Sequence, residues 1–127
     1  MHLPFSTDSL QTPCYVTDVA ALKRNGEILK SVQQETGCKI LLAQKAFSMF
    51  ATYPILKPYL AGTTASGLYE AKLGREEMGG EVHIFSPAYP ERDFPEICAI
   101  SDHIVFNSFH QWQLHKKFVQ SCGRPIS

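Results

Sequence analysis

The sequence predicts an α/β fold in which about four parallel strands alternate with helices. Short apolar runs of strand length alternate with longer segments of helical periodicity, at spacings of about 20 residues. Glycine and proline residues separate the two kinds of segment. Such regular alternation favours a parallel sheet with right-handed crossovers over a fold with separate helical and strand halves.

Length and composition indicate one domain that binds a small molecule. The chain has 127 residues, of which 44% are hydrophobic, and this is enough for a real core. It is short for a complete eight-stranded barrel, which typically takes about 250 residues. Twelve basic residues balance twelve acidic ones without forming charge blocks. We therefore expect no nucleic-acid or membrane partner.

Cysteine usage predicts a protein of the reduced cytoplasm. Cys14, Cys38, Cys98 and Cys122 lie far apart and contain no Cys-x-x-Cys pair. The amino terminus lacks the basic and apolar pattern of an export signal. No segment approaches the roughly 20 apolar residues of a membrane span.

The first helix and strand lead to the most informative residue of the chain. Asp18 is predicted to cap a helix that runs to about Glu35, and Gly37 ends it. Residues 40–45 then form an apolar strand that is expected to be buried on both faces. Lys45 closes this strand, at the end where barrel enzymes place their chemistry, so it is a candidate catalytic amine. The alternative is a lysine that simply extends from a strand end into solvent.

The remaining elements continue the alternation. A helix at 53–60 and a strand at 62–65 are followed by a helix at 68–78, which Ser66 caps and a glycine pair ends. The later predicted elements are strands at 82–85 and 103–106, a helix at 91–100, and a helix from Ser108 to about residue 119. Residues 123–127 have the composition of a turn and the opening of a fifth strand, so the chain is expected to stop within its fold.

Eight segments of the chain resemble a known enzyme family. They are TPCYV at 12–16, GCKILLAQKAFS at 37–48, GTTAS at 62–66, YEA at 69–71, LGREE at 73–77, GGEVH at 79–83, SPAY at 86–89 and DHIVFNS at 102–108. Together they closely resemble the carboxynorspermidine (carboxyspermidine) decarboxylases. The resemblance implies a pyridoxal-phosphate enzyme with an alanine-racemase-like barrel and a β-domain. This chain would then hold the first half of a (β/α)8 TIM-type barrel.

The resemblance assigns a role to Lys45. In that family the lysine at the end of the first barrel strand carries pyridoxal 5'-phosphate covalently, and Lys45 is the matching residue. Only an amine condenses with the cofactor aldehyde, and it must be neutral to attack. Partial burial near Leu42, Ala43 and Phe47 would favour that neutral form. The implied reaction removes carbon dioxide from a carboxylated polyamine and yields norspermidine or spermidine.

Other polar residues are weaker candidates for the site. Thr63 and Ser66, with Thr64 between them, are placed to line the cofactor site from the second strand, although a strand followed by a helix cap explains them equally well. Ser86 and Asn107 end the third and fourth strands and are held in reserve. Four of the five histidines, His83, His103, His110 and His115, show no metal-ligand spacing and are interpreted as solvated or packing residues, and Cys122 is given no role.

Two hypotheses on function remain open. The resemblance places the phosphate-binding loop, most substrate contacts and the β-domain beyond Ser127, and it implies active sites shared within a homodimer. The chain is therefore interpreted as part of a decarboxylase that is inactive alone. Because a half-barrel leaves sheet edges and an apolar face open, a non-catalytic module that associates with other proteins is the alternative. Another pyridoxal-phosphate amino-acid decarboxylase or racemase is a weaker alternative.

Overall fold

A computed structural model describes residues 6–8 and 10–127. Its sheet has four parallel strands in the order β1-β2-β3-β4, so that each strand pairs with the next one along the chain. The strands are β1 Leu41–Ala43, β2 Gly62–Ala65, β3 Glu81–Ser86 and β4 His103–Phe106. The helices are α1 Val19–Thr36, α2 Tyr53–Leu56, α3 Leu68–Leu73, α4 Phe94–Ile100 and α5 Phe109–Ser121. Alternating helices and sequential parallel strands confirm the predicted first half of a barrel.

Helices cover one face of this sheet. The larger core cluster places Val82 and Ile84 of β3 against Phe94 and Ile97 of α4, and all four are fully or almost fully buried. A second cluster under α2 consists of Tyr53, Leu56 and Met78, with further apolar side chains packed around it. Side chains alternate between the two faces of a strand, so the residues between these core positions lie on the opposite face. We call the two sides the covered face and the open face.

The predicted caps of the two longest helices are confirmed. The Oδ1 atom of Asp18 accepts a hydrogen bond from the Ala21 N–H at 2.9 Å and starts α1. Gly37 ends that helix in the left-handed conformation with φ 72°, which glycine adopts without steric cost. The Ser108 hydroxyl accepts from the Gln111 N–H at 3.2 Å and starts α5. No helix in the described part of the chain is long and apolar enough to cross a membrane.

Two predicted elements are shorter in the structure. The helix predicted at 53–60 ends at Leu56, because Pro58 lacks an N–H and disfavours helical backbone before it. The helix predicted at 91–100 begins only at Phe94, and Pro95 is tolerated there because it falls in the first turn.

The prediction that Ser66 caps α3 is wrong. Gly67 occupies the cap position in an extended conformation and offers no side chain to the helix. The backbone N–H of Ser66 instead donates to the Glu70 carboxylate at 2.7 Å. This carboxylate lies in the first turn of α3, near the positive end of the helix dipole, but it binds an N–H that precedes the helix.

The helix predicted at 68–78 changes character before it ends. After α3 the chain forms a π-helical turn at Gly74–Met78, in which the Gly79 N–H reaches the Gly74 carbonyl at 2.9 Å. Gly79 and Gly80 then end the segment at positive φ, as predicted. At Gly74 a β-carbon would lie 2.2 Å from the Thr63 Oγ1 atom. The glycine therefore lets the helical layer approach β2 closely.

Backbone pairing continues beyond β4. The Ile104 N–H donates to the Ser127 carbonyl at 2.8 Å, and the Ser127 N–H donates to the Asp102 carbonyl at 3.2 Å. Ser127 thus bonds to two residues that lie two positions apart on the neighbouring chain segment. This is the hydrogen-bond pattern of parallel strands. The segment at 123–127 therefore lies where a fifth strand would lie.

Candidate functional site

Lys45 lies in a turn at the carboxyl edge of β1. The strand itself ends at Ala43, and the Ala43 carbonyl accepts from the N–H groups of Ala46 and Phe47 at 3.0 and 3.2 Å. Gln44 anchors this turn to α3. It is 1% exposed, and its side-chain amide donates to the Glu70 carbonyl at 2.7 Å. The structure thus holds the backbone at residue 45 firmly and leaves the Lys45 side chain exposed.

The predicted burial around Lys45 is wrong. The strand expected to be buried on both faces has only partly buried residues, and Lys45 is exposed. Leu42 and Phe47 pack against the cluster under α2, and this packing leaves the Lys45 side chain exposed. Alternation along β1 explains the position of Leu42, because only the covered face of the strand meets the helices.

The two predicted hydroxyl residues of β2 lie in different places. Thr63 is 0% exposed, contacts the helical layer beside Gly74, and its Oγ1 atom has no hydrogen-bond partner among the described residues. Ser66 follows the strand and is exposed at its carboxyl edge. Thr64, between them, pairs with Ala43 on one side and His83 on the other. Ser66 therefore shares the carboxyl edge with Lys45, and Thr63 is a packing residue of the covered face.

Ser86 and Asn107 end β3 and β4 at the same edge. The Ser86 hydroxyl donates to the Ala88 carbonyl at 2.9 Å, while Asn107 is exposed. A cavity of about 440 Å³ adjoins Asn107, and one of about 640 Å³ lies beside the turn after Lys45. Residues 15–17 and 46–51 line the larger cavity. The carboxyl edge thus presents one primary amine, small polar groups and space for a ligand.

Tyr89 organises this edge, and sequence reasoning missed it. Its Oη atom lies 2.7 Å from the Val105 carbonyl and 3.2 Å from the Ile84 carbonyl, and it accepts from the Ser86 N–H at 3.1 Å. The phenol therefore joins the ends of β3 and β4. Burial raises the pKa of Tyr89, so the hydroxyl keeps the proton it donates. A tyrosine three residues after a strand end gives no signal of this role in the sequence.

A polar cluster on the open face was also missed. Glu81, His83 and His103 bring three potential ligand atoms within 4.8 Å of one another. Lys39 forms an ion pair with the Glu81 carboxylate, and the hydrogen bonds from Lys39 and His83 lower the pKa of that carboxylate. His83 and His103 are separated by many residues along the chain, so their spacing could not reveal a contact that depends on strand register.

His110, His115 and the four cysteines differ in burial and contacts. His115 is fully buried and stacks on Phe94 with ring centroids 4.0 Å apart, which confirms a packing role, while His110 is exposed. All four cysteines are free thiols in the described residues, so no disulfide framework forms. Burial raises the pKa of Cys98 to about 11, and the Cys122 thiol donates to the Cys98 carbonyl at 3.2 Å. The buried Cys98 thiol therefore stays protonated at neutral pH and is not a nucleophile.

The proteins that this chain resembles in sequence are named as decarboxylases. Carboxynorspermidine/carboxyspermidine decarboxylase of Campylobacter jejuni is 44% identical over 109 residues, which cover 84% of this chain and 28% of the relative. Carboxyaminopropylagmatine decarboxylase of Synechocystis is 39% identical over 115 residues, which cover 91% of this chain and 30% of the relative. No family model matches the chain. The chain thus spans less than one third of the length of these relatives.

Comparison of folds agrees with the sequences. The crystal structure of carboxynorspermidine decarboxylase from Campylobacter jejuni, complexed with norspermidine, superposes with a TM-score of 0.85 at 42% identity. The match covers 87% of this chain and 30% of that structure. In sequence and in fold, the chain is therefore homologous to a part of the carboxynorspermidine and carboxyspermidine decarboxylases.

Proposed function

We propose that this chain supplies the cofactor-anchoring lysine of a pyridoxal-phosphate-dependent decarboxylase that acts on carboxylated polyamines. The observation that carries the proposal is the exposed Lys45 amine, held by an anchored turn at the carboxyl edge of a half-barrel sheet. Ligands of barrel enzymes bind at this edge. The relatives named as decarboxylases support the reaction class.

The residues present fit an aldehyde cofactor. A primary amine can condense with the aldehyde, and Lys45 is an exposed amine whose backbone is restrained by Gln44. When bound, pyridoxal phosphate supplies an electron sink for the electron pair left by departing carbon dioxide. Ser66, Ser86 and Asn107 offer hydrogen-bonding groups at the three neighbouring strand ends, and we propose that they orient the bound group.

The proposed substrate is a polyamine that bears an α-amino carboxylate. The relatives are named for carboxynorspermidine, carboxyspermidine and carboxyaminopropylagmatine, and the related crystal structure contains norspermidine. The three carboxy-compounds share a carboxylated end and a cationic chain, and we take that class as the substrate.

The chain requires further protein to act. It spans less than one third of the length of its relatives. We propose that it is inactive alone and that the complete enzyme is a homodimer. A reducing cytoplasm suits the chain, because Cys14 and Cys38 are exposed free thiols.

Borohydride trapping tests the role of Lys45. The purified chain is mixed with pyridoxal phosphate, reduced, digested and mapped by mass spectrometry. The expected result is preferential modification of Lys45, with loss of that label in Lys45→Ala. Lys116→Ala is the matched control, since Lys116 is also exposed but lies within helix α5 and not in a turn that follows a strand.

The outcomes separate the two functional hypotheses. Equal modification of Lys45 and Lys116 would contradict a preformed site in this chain. The open face leaves Phe85 43% and Val105 51% exposed, which favours association as the second candidate function. Uniform labelling, together with concentration-dependent self-association in light scattering, would therefore favour the non-catalytic module.

A further inference from the structure

Three side chains from two strands converge on the open face. The Glu81 Oε2 atom lies 3.0 Å from the His83 Nε2 atom and 3.8 Å from the His103 Nε2 atom. All three ligand atoms lie within 4.8 Å of one another, and each side chain is only partly buried. Imidazole and carboxylate are common ligands of divalent transition metals.

Strand geometry fixes the positions of these groups. Glu81 and His83 stand two residues apart on β3 and so project from the same face. His103 opens β4 and pairs directly with His83 in the parallel ladder. The two imidazole rings lie with their centroids 4.0 Å apart. Because all three residues lie in paired strands, their mutual distances depend on the sheet and not on a loop.

Neighbouring groups orient two of the ligands. Lys39 pairs with the Oε1 atom of Glu81, which leaves the Oε2 atom directed at the histidines. The Ser127 hydroxyl contacts the Nδ1 atom of His103, while the Nε2 atom of that ring faces Glu81. Such outer contacts select the ligating atom and hold its orientation in metal sites.

The two separations from Glu81 suit a shared ion. With bonds of about 2.0–2.1 Å, adjacent donors around tetrahedral zinc lie roughly 3.4 Å apart. The two separations from Glu81, 3.0 and 3.8 Å, fall on either side of that value. A hydrogen bond accounts for the shorter distance only, because 3.8 Å is too long for one.

We propose that Glu81, His83 and His103 form a binding site for one divalent transition-metal ion of the zinc class. The ion would join β3 to β4 and keep at least one position open to solvent. The site lies toward the amino ends of the strands, whereas Lys45 follows the carboxyl end of β1. The metal-site proposal is therefore independent of the proposed cofactor chemistry, and an experiment can reject one proposal without rejecting the other.

Cobalt titration tests this site. Co²⁺ is added to the full 127-residue chain carrying Cys14→Ser and Cys38→Ser, because those exposed thiols could bind the ion themselves. We expect one ion per chain by calorimetry and the intense visible bands of four- or five-coordinate cobalt. Substitution of a ligand, as in His83→Ala or His103→Ala, is expected to weaken binding at least about 100-fold. His110→Ala, which removes an exposed histidine of α5, should leave the affinity unchanged.

Several results would overturn the proposal. They are a spectrum of six-coordinate cobalt, an affinity unaffected by His103→Ala, or an equal loss of affinity in His110→Ala. Far-UV circular dichroism verifies that each variant folds. If an alanine variant unfolds, Glu81→Gln replaces it, since it keeps the shape and removes the ligand charge. Unchanged cobalt affinity in folded Glu81→Gln would reject the site as well.

Discussion

The two faces of the sheet differ in what their residues do. On the covered face, Val82, Ile84 and Thr63 are fully buried against helices. On the open face, the same strands present Glu81, His83 and the half-exposed Phe85. A parallel sheet is normally covered on both faces, whereas this half-barrel is covered on one face only. The covered face carries the stability of this chain, and the open face and its carboxyl edge carry the chemical groups.

Paired phenylalanine substitutions give the largest expected contrast. Phe94 is fully buried and stacks on His115, so Phe94→Ala should reduce the free energy of unfolding by about 3–5 kcal/mol. Phe85→Ala removes the same side chain from the open face, where the cost should stay below about 1 kcal/mol. Urea unfolding followed by circular dichroism measures both values.

A smaller difference would change the interpretation of the open face. If Phe85→Ala cost as much as Phe94→Ala, Phe85 would have to be buried in solution, as it would be in a self-associated form. Light scattering of the unsubstituted chain at the same concentrations distinguishes that case. Should Phe94→Ala fail to fold, Phe94→Leu gives a milder comparison at about 1–2 kcal/mol.

Two carboxylates offer an intermediate contrast. Asp102 accepts from the Val82 N–H at 2.8 Å and from Arg75 at 2.6 Å, and Arg124 also contacts it. Glu81 pairs with Lys39, whose side chain is 62% exposed. We expect Asp102→Asn to lower stability at neutral pH by about 1–2 kcal/mol, because it weakens several partly buried bonds. Glu81→Gln should cost less than about 1 kcal/mol, since exposed ion pairs contribute little.

Acid titration of stability checks the assignment of Asp102. Partial burial opposes ionisation, but the Val82 N–H and the Arg75 guanidinium outweigh it and lower the pKa of Asp102. A carboxyl whose pKa is lower in the folded state stabilises the fold above its unfolded pKa, near 4. That contribution is lost as pH falls through the lower folded value. Asp102→Asn should therefore flatten the loss of stability below about pH 4, and an unchanged slope would contradict the assignment.

Local patterns in the sequence predict most of the fold. Short segments between the helical patterns identify all four strands, although GTTA at 62–65 is not an apolar run, and Asp18, Gly37 and Ser108 mark helix ends that the structure confirms. The position of Lys45 after the first strand was also predictable, because it depends only on where one apolar run ends. Its exposure was not, because burial depends on which layers cover each face.

Contacts between strands account for what the sequence could not reveal. The cluster of Glu81, His83 and His103 requires the register of β3 against β4, and Tyr89 requires the path of the loop after β3. The sequence does indicate that Thr63 lies on the covered face. Thr63 and Ala65 share one face of β2, and a small apolar residue at position 65 indicates that this face packs against helices.

Thr63→Val gives the smallest expected effect and separates packing from cofactor binding. If Thr63 faces the helices, the change removes a buried hydroxyl without a partner and retains the shape of the side chain. Stability should then stay the same or rise by up to about 1 kcal/mol, and borohydride labelling of Lys45 should be unchanged. Ser66→Ala is the matched control from the exposed carboxyl edge, where loss of the hydroxyl should leave stability unchanged and reduce labelling. A loss of labelling in Thr63→Val, at constant stability, would mean that Thr63 reaches the cofactor, which requires β2 to present its opposite face.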